Sequence, residues 1–220
     1  MNLSLSGRRA IVCGSTSGIG RACAQLLAER GASVVLAARD EEKLISTVNS
    51  LDGDDHSYIC ADFNDPDNLR LKTIDHINKT GVIHILMNNS GGPPGGPLIE
   101  ANPDEFEIAF KRHVISSHIL TQAVVPGMKE KGYGRIINII STSVNQVIPG
   151  LGVSNTIRGA VAQWVKTLAI ELGSYGITAN NVLPGYIDTD RLKNLLEKWA
   201  KDKNITYDQI VTETEKKTSL

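Results

Sequence analysis

The chain has 220 residues, 41% of them hydrophobic and 21% charged, and a formal net charge of −1. That length buries one full core without dividing, and the near-neutral balance offers no basic field for nucleic acid and no acidic tail. No apolar run is long enough for a bilayer and no signal-type segment opens the sequence, so no membrane partner is expected and the expected location is the cytoplasm.

Ala10, Ile11, Val12 and Cys13 read as a buried strand, and residues 21–30 as a helix with Ala22, Leu26 and Leu27 on one face. Between them stand Gly14, Gly18 and Gly20. Glycine lets a backbone turn tightly and approach another group closely. The first amides of the helix then point into the turn with the positive end of the helix dipole behind them, which suits a pyrophosphate. The spacing is G-x3-G-x-G, and an ordinary glycine-rich turn is the plainer alternative.

Residues 33–37 form a second strand and 40–51 a helix that Asp40 can cap. Residues 57–61 form a third strand, and 65–80 a polar helix with Pro66 in its first turn. Strand 83–88 leads into the loop Gly91-Gly92-Pro93-Pro94-Gly95-Gly96-Pro97. This loop is either a stiff connector or a wall of the active site, since ligands bind at the carboxyl ends of such strands. A long helix covers 103–131, a fifth strand 135–140, another long helix 154–173 and a sixth strand 177–183. A charged helix over 191–202 is either part of a substrate lid spanning 186–220 or a solvated helix. Apolar strands alternating with helices predict an α/β fold: one domain over 1–220, a doubly wound Rossmann sheet of at least six parallel strands with helices on both faces. Cys13, Cys23 and Cys60 lack C-x-x-C spacing and read as core cysteines of a reducing compartment, neither disulfide partners nor metal ligands.

The motifs Gly14-x3-Gly18-Ile19-Gly20, Asn88-Asn89-Ser90-Gly91, Ser141 after the fifth strand and Pro184-Gly185 after the sixth resemble those of the short-chain dehydrogenase/reductase family. The resemblance runs along essentially the whole chain and is nearest to the 3-oxoacyl-carrier-protein-reductase-like branch. It implies a catalytic Ser, Tyr and Lys, with a helix Asn as fourth member. Laid on that pattern, Ser141 stands at the Ser position, Ser154 at the Tyr position, Arg158 at the Lys position and His113 at the Asn position. No Y-x3-K occurs anywhere. In the family the Tyr gives a proton to the carbonyl oxygen as hydride arrives, its phenol pKa lowered by the ammonium. A serine hydroxyl is a far weaker acid. His113 and Tyr186 are the candidate replacement donors, set against a helix histidine bonded only to backbone and water, and a ring packed on a loop. Ser154 and Arg158 could equally be a helix N-cap and a surface cation, and Ser141 a mere strand terminator. Nothing sets a base beside Ser141, so no nucleophilic triad is arguable.

The same resemblance implies a nicotinamide dinucleotide. Gly14, Ser15, Ser17, Gly18, Ile19 and Gly20 would hold its diphosphate. Asp62 and Phe63 would hold the adenine, Asn89 and Gly91 the ribose side, and Arg158 the nicotinamide ribose. Pro184, Gly185, Ile187 and Thr189 would meet the carboxamide. Arg39, after the second strand, would pair with a 2′-phosphate and so favours NADP(H) over NAD(H); the alternative has Arg39 capping a loop and Asp40 reaching the ribose. Cys13 replaces a usual Thr or Ser. Relatives continue into a further helix and a seventh strand, so an exposed edge is expected at the sixth strand. They pair through the two long helices, implying a homodimer or homotetramer. The function expected is an NADP-dependent carbonyl reductase or alcohol dehydrogenase with a non-standard proton donor, acting on a small carbonyl or alcohol. The alternative is a nucleotide-binding sensor or scaffold that has lost redox chemistry.

Overall fold

The computed structural model describes residues 3–218. They fall into two compact units, Met1–Leu183 and Pro184–Leu220. The first unit is built on β1 (Arg9–Cys13), β2 (Ser33–Ala38), β3 (Ser57–Cys60), β4 (Ile85–Asn88), β5 (Gly134–Ile139) and β6 (Ile177–Val182). All pair in parallel in the order β3-β2-β1-β4-β5-β6. The order reverses between β1 and β4, the switch point at which such sheets bind ligands.

The central strands β1, β2 and β4 are mostly apolar because both faces are covered, whereas the edge strand β6 carries Thr178 and Asn180 on an exposed face. Successive side chains point to opposite faces. Ile11, Val35, Leu86 and Ile136 share a core with Leu69 of α3 (Pro66–Thr80), Leu120 of α5 (Ser116–Glu130) and Val161 of α6 (Gly152–Leu172). Val12, Val34, Leu36 and Met87 pack with Ala24 of α1 (Gly18–Glu29) and Leu44 of α2 (Glu41–Val48). Asp40 does cap α2, accepting from the Lys43 amide at 3.1 Å, and Asp65 caps α3 with Pro66 in its first turn.

Several local expectations change. The long helix over 103–131 is not uniform: α4 (Pro103–Phe110) passes through a π-helical turn, Lys111–Ile115, before α5. There the Ser116 amide and hydroxyl both donate to the Lys111 carbonyl. One extra residue per turn is invisible to a periodicity of 3.6, yet such turns are frequent at functional sites. Helix α6 begins two residues before Ser154, with Leu151 as its cap, so Ser154 is not an N-cap. Of the cysteines only Cys13 is fully buried, its thiol pushed up to about 12 by that burial; Cys23 and Cys60 are half-buried at the margin of the second core. β6 is a sheet edge among the described residues, as expected. No described helix is long and apolar enough to cross a membrane.

The second unit holds α7 (Asp190–Lys203) and α8 (Tyr207–Thr218), packed through Leu196, Ala200 and Ile210. The charged helix therefore has a buried face and is not simply solvated.

The opposite end of the sheet from the switch point is locked by histidines. His84 Nδ1 accepts the Arg9 amide at 3.0 Å, and a charged imidazole, protonated on both nitrogens, cannot do so. Burial, and then Arg8, Arg9 and Lys131, hold His84 below the ordinary imidazole value; burial does the same for His76. Both groups are thus neutral in the native state where an unfolded chain would take up protons. Their stabilisation is complete above about pH 6.5 and is lost as pH falls below it. The melting temperature is expected to decline from pH 7.5 to pH 5, and His84→Asn, which still accepts but does not titrate, should flatten the decline. An unchanged slope would refute the assignment to His84.

Candidate active site

The turn after β1 is shaped by close backbone approach. Gly14 and Gly18 have φ of +58° and +50°, a region L side chains rarely adopt. A Cβ on Gly20 would strike the Gly14 carbonyl, 2.7 Å from its carbon and closer to its oxygen. A Cβ on Gly14 would lie 2.8 Å from Asn89 Nδ2. That Asn89 amide, just past β4, donates to the Cys13 carbonyl at 3.2 Å and clamps the turn to the neighbouring strand. Helix α1 has no side-chain cap and no acid in its first turn. Helices α2, α3 and α4 all have both. The first amides of α1 are thus left for an anion. Ser15 is fully buried, its hydroxyl without a partner among the described residues; Ser17 and Gly18 are exposed, and Ile19 is half-buried. These residues fit a diphosphate: backbone donors, positive dipole, and no side chain in the way.

The other binding candidates are spread along the carboxyl ends of the strands. Arg39 is exposed beyond β2. Asp40 beside it is engaged: it caps α2 and pairs with Lys43 at 3.0 Å, contacts that hold its carboxyl below the usual range. Asp62 accepts from the Asn64 amide at 2.9 Å, and the Phe63 carbonyl accepts from Ser116 Oγ at 2.7 Å. The Gly91 carbonyl accepts from Arg112 Nη1 at 3.3 Å, while Arg112 Nε donates to Asn64 Oδ1 at 3.1 Å. Arg112 therefore ties the loops after β3 and β4 together. It escaped the sequence reading because a charged residue on a helix carries no positional signal.

Three of the candidate catalytic residues lie by the ends of β4 and β5: His113 beside Ser90, Ser141 just past β5, and Arg158 bonded to Ile139. Asn88 and Asn138 are buried register partners, joined Nδ2 to Oδ1 at 2.9 Å. Just beyond, Ser90 Oγ lies 2.7 Å from His113 Nδ1. His113 sits in the π-helical turn and is only 3% exposed, so it is bonded to a side chain and is not a solvated helix histidine. Ser141 Oγ accepts from the Ser143 amide at 3.0 Å and so caps the short 3₁₀ turn Thr142–Val144. Ser154 is buried in the first turn of α6. Arg158, one turn on, is half-buried and Nη1 donates to the Ile139 carbonyl at 2.9 Å. It is drawn to the end of β5, two residues before Ser141, and is not a surface cation. The loop after β4 proves to be tied down: the Gly96 amide donates to the Gly150 carbonyl at 2.8 Å and the Gly152 amide to the Gly96 carbonyl at 3.1 Å.

In the second unit, Pro184 and Gly185 open the segment; Ile187 is exposed, and Thr189 caps α7 through its hydroxyl, which accepts from the Leu192 amide. Tyr186 packs edge-on against Trp199, ring centroids 6.4 Å apart, and burial raises its phenol above the usual value. With Leu192, Leu196, Tyr207 and Val211 it lines a cavity of about 690 Å³.

The family model described as short chain dehydrogenase matches residues 8–200. The chain belongs to the short-chain dehydrogenase family. That places it among NAD(P)-dependent oxidoreductases. It is 34% identical over 197 residues to a 3-oxoacyl-[acyl-carrier-protein] reductase of Vibrio harveyi, covering 88% of this chain and 79% of that one. Its fold is that of L-sorbose reductase from Gluconobacter frateurii, solved with NADPH and L-sorbose: TM-score 0.86, 27% identity, 95% of this chain and 81% of the other. It is also that of a 3-ketoacyl-(acyl-carrier-protein) reductase from Brucella melitensis, solved with NADH: TM-score 0.80, 28% identity, 86% and 80% covered.

Proposed function

We propose that the protein is an NADP-dependent carbonyl reductase, working in reverse as an alcohol dehydrogenase, with His113 as its proton donor. The observation that carries this reading is the glycine turn closed over an uncapped α1 at the switch point. When bound, the nicotinamide supplies or accepts the hydride. The residues 14–20 and the first amides of α1 hold its diphosphate, with Asp62 and Phe63 on the adenine side and Asn89 and Gly91 on the ribose side.

Ser141 bonds the carbonyl oxygen. Arg158, permanently charged and oriented by the Ile139 carbonyl, balances negative charge developing there and holds ribose hydroxyls. Ser154 is too weak an acid to replace a phenol. Tyr186, a packed ring with a raised pKa, is a poorer donor than a histidine, whose ordinary pKa lies near the working pH.

Arg39 is assigned to the 2′-phosphate, since Asp40 is engaged in capping α2. Solved relatives hold NADPH or NADH, so the preference rests on Arg39. Arg39→Ala is expected to raise KM for NADPH about 10- to 100-fold, matching roughly 1.5–3 kcal/mol of charge-assisted bonding. NADH kinetics should stay unchanged; equal losses with both would overturn the assignment.

The three free thiols suit a reducing compartment, the cytoplasm. The apolar groove formed by Phe106, Phe110, Ile115, Ile157 and Ala160 supports pairing with a second copy through the long helices; a monomer in sedimentation velocity would refute that.

The functional test is direct. Protein is mixed with NADPH and a panel of ketones and 3-oxoacyl thioesters, and nicotinamide absorbance is followed. Turnover on any of them supports the reductase. Tight NADPH binding with no turnover throughout favours a sensor or scaffold instead.

A further inference from the structure

Ser90 has no role in the binding scheme above, yet it makes a short side-chain contact to a buried imidazole. Its Oγ lies 2.7 Å from His113 Nδ1 across 23 residues of sequence. The two groups are brought together by separate devices. Ser90 follows Asn88, the last residue of β4, and Asn89, whose side-chain amides are fixed to Asn138 and to the Cys13 carbonyl. His113 is carried by the π-helical turn, which is anchored by Ser116: its hydroxyl donates to the carbonyls of Phe63 and Lys111. Both partners therefore sit on restrained backbone, and neither can drift from the other cheaply.

We propose that Ser90 is a positioning residue that sets the tautomer and orientation of His113. A hydroxyl oxygen is suited to this because it can accept. Accepting from Nδ1–H at 2.7 Å, it keeps the proton of the neutral imidazole on Nδ1 and leaves Nε2 bare, the form the ring takes once its Nε2 proton has been given away. When His113 is charged, the Ser90 oxygen goes on accepting from Nδ1–H. The ring thus keeps one bond and one orientation in both charge states. A donor N–H in the place of Ser90 would need a bare Nδ1 and so favour the other tautomer. Orienting a ring of a proton-transfer group through its second nitrogen is a general requirement of imidazole chemistry. The kinetic part of this proposal rests on His113 being the proton donor; the tautomer part does not.

The test compares wild type, Ser90→Ala and Ser90→Thr, each labelled with ¹⁵N-histidine and examined without cofactor at alkaline pH. In wild type His113 is expected to show a protonated Nδ1 and an unprotonated Nε2. In Ser90→Ala the two resonances should move toward each other as the tautomers mix, and Ser90→Thr should restore the pattern. With NADPH and the best carbonyl substrate, kcat of Ser90→Ala should fall about 10-fold with KM for NADPH unchanged, and threonine should recover it. A His113 spectrum indifferent to Ser90→Ala overturns the proposal. A changed spectrum with unchanged kcat upholds the tautomer assignment and overturns the kinetic part. Wild-type protein that binds NADPH but reduces nothing sinks the enzymatic reading alone, because the ¹⁵N spectra still decide whether Ser90 sets the tautomer.

Discussion

Gly20→Ala is expected to weaken NADPH binding by at least about 100-fold in calorimetry, a loss of roughly 2.7 kcal/mol or more. The cause is the distance between two pieces of main chain. The added methyl would meet the Gly14 carbonyl carbon at 2.7 Å and Asn89 Nδ2 at 2.9 Å. Neither neighbour is a flexible side-chain end. The Gly14 amide is bonded to the Ala37 carbonyl at 2.8 Å, and Asn89 is held on the Cys13 carbonyl. Relief must come from moving α1 away from β1, which displaces the amides assigned to the diphosphate. Overpacking of this kind also costs about 1–3 kcal/mol of stability, so melting should be followed on the same sample. Gly173→Ala is the control, since a methyl there meets nothing within 4 Å. Folded Gly20→Ala protein that binds NADPH as wild type does would remove the glycine turn from the cofactor site.

His113→Asn is expected to lower kcat about 10²- to 10⁴-fold, the usual worth of a positioned proton donor, with NADPH affinity unchanged. Asparagine can still bond Ser90, so the loss isolates the proton from the packing. It is also the residue that the family resemblance puts at this position, where it accompanies a tyrosine that this chain lacks. Restoring the family's residue should therefore abolish activity in this protein. A drop in kcat and kcat/KM together, without a change in cofactor binding, marks an interaction used in the transition state. Activity within about fivefold of wild type would transfer the donor role elsewhere, with Tyr186→Phe as the next variant to assay.

Much of this was legible in the residues. Apolar strands alternating with helical periodicity gave the parallel sheet because both faces of its central strands are buried, and Asp40 and Pro66 announced the starts of α2 and α3. The glycine turn was legible because only glycine tolerates those φ values and that approach. What was not legible depends on side chains meeting across the fold. The π-helical turn adds a residue without disturbing the apolar pattern. The Ser90–His113 contact and the Arg112 tie join loops far apart in sequence. Arg158 read equally as surface or site until its bond to the Ile139 carbonyl showed which way it turns. Helix α8 is polar enough that only its packing on α7 through Ile210 identifies it.

The pair of main-chain bonds joining Gly96 to Gly150 and Gly152 reaches beyond local geometry. Segments that leave neighbouring parallel strands are usually free to swing independently. Here parting them means breaking two backbone hydrogen bonds, each worth about 1 kcal/mol net. The chain leaving β4 and the chain entering α6 therefore open together, at a cost of about 2 kcal/mol, and not one without the other.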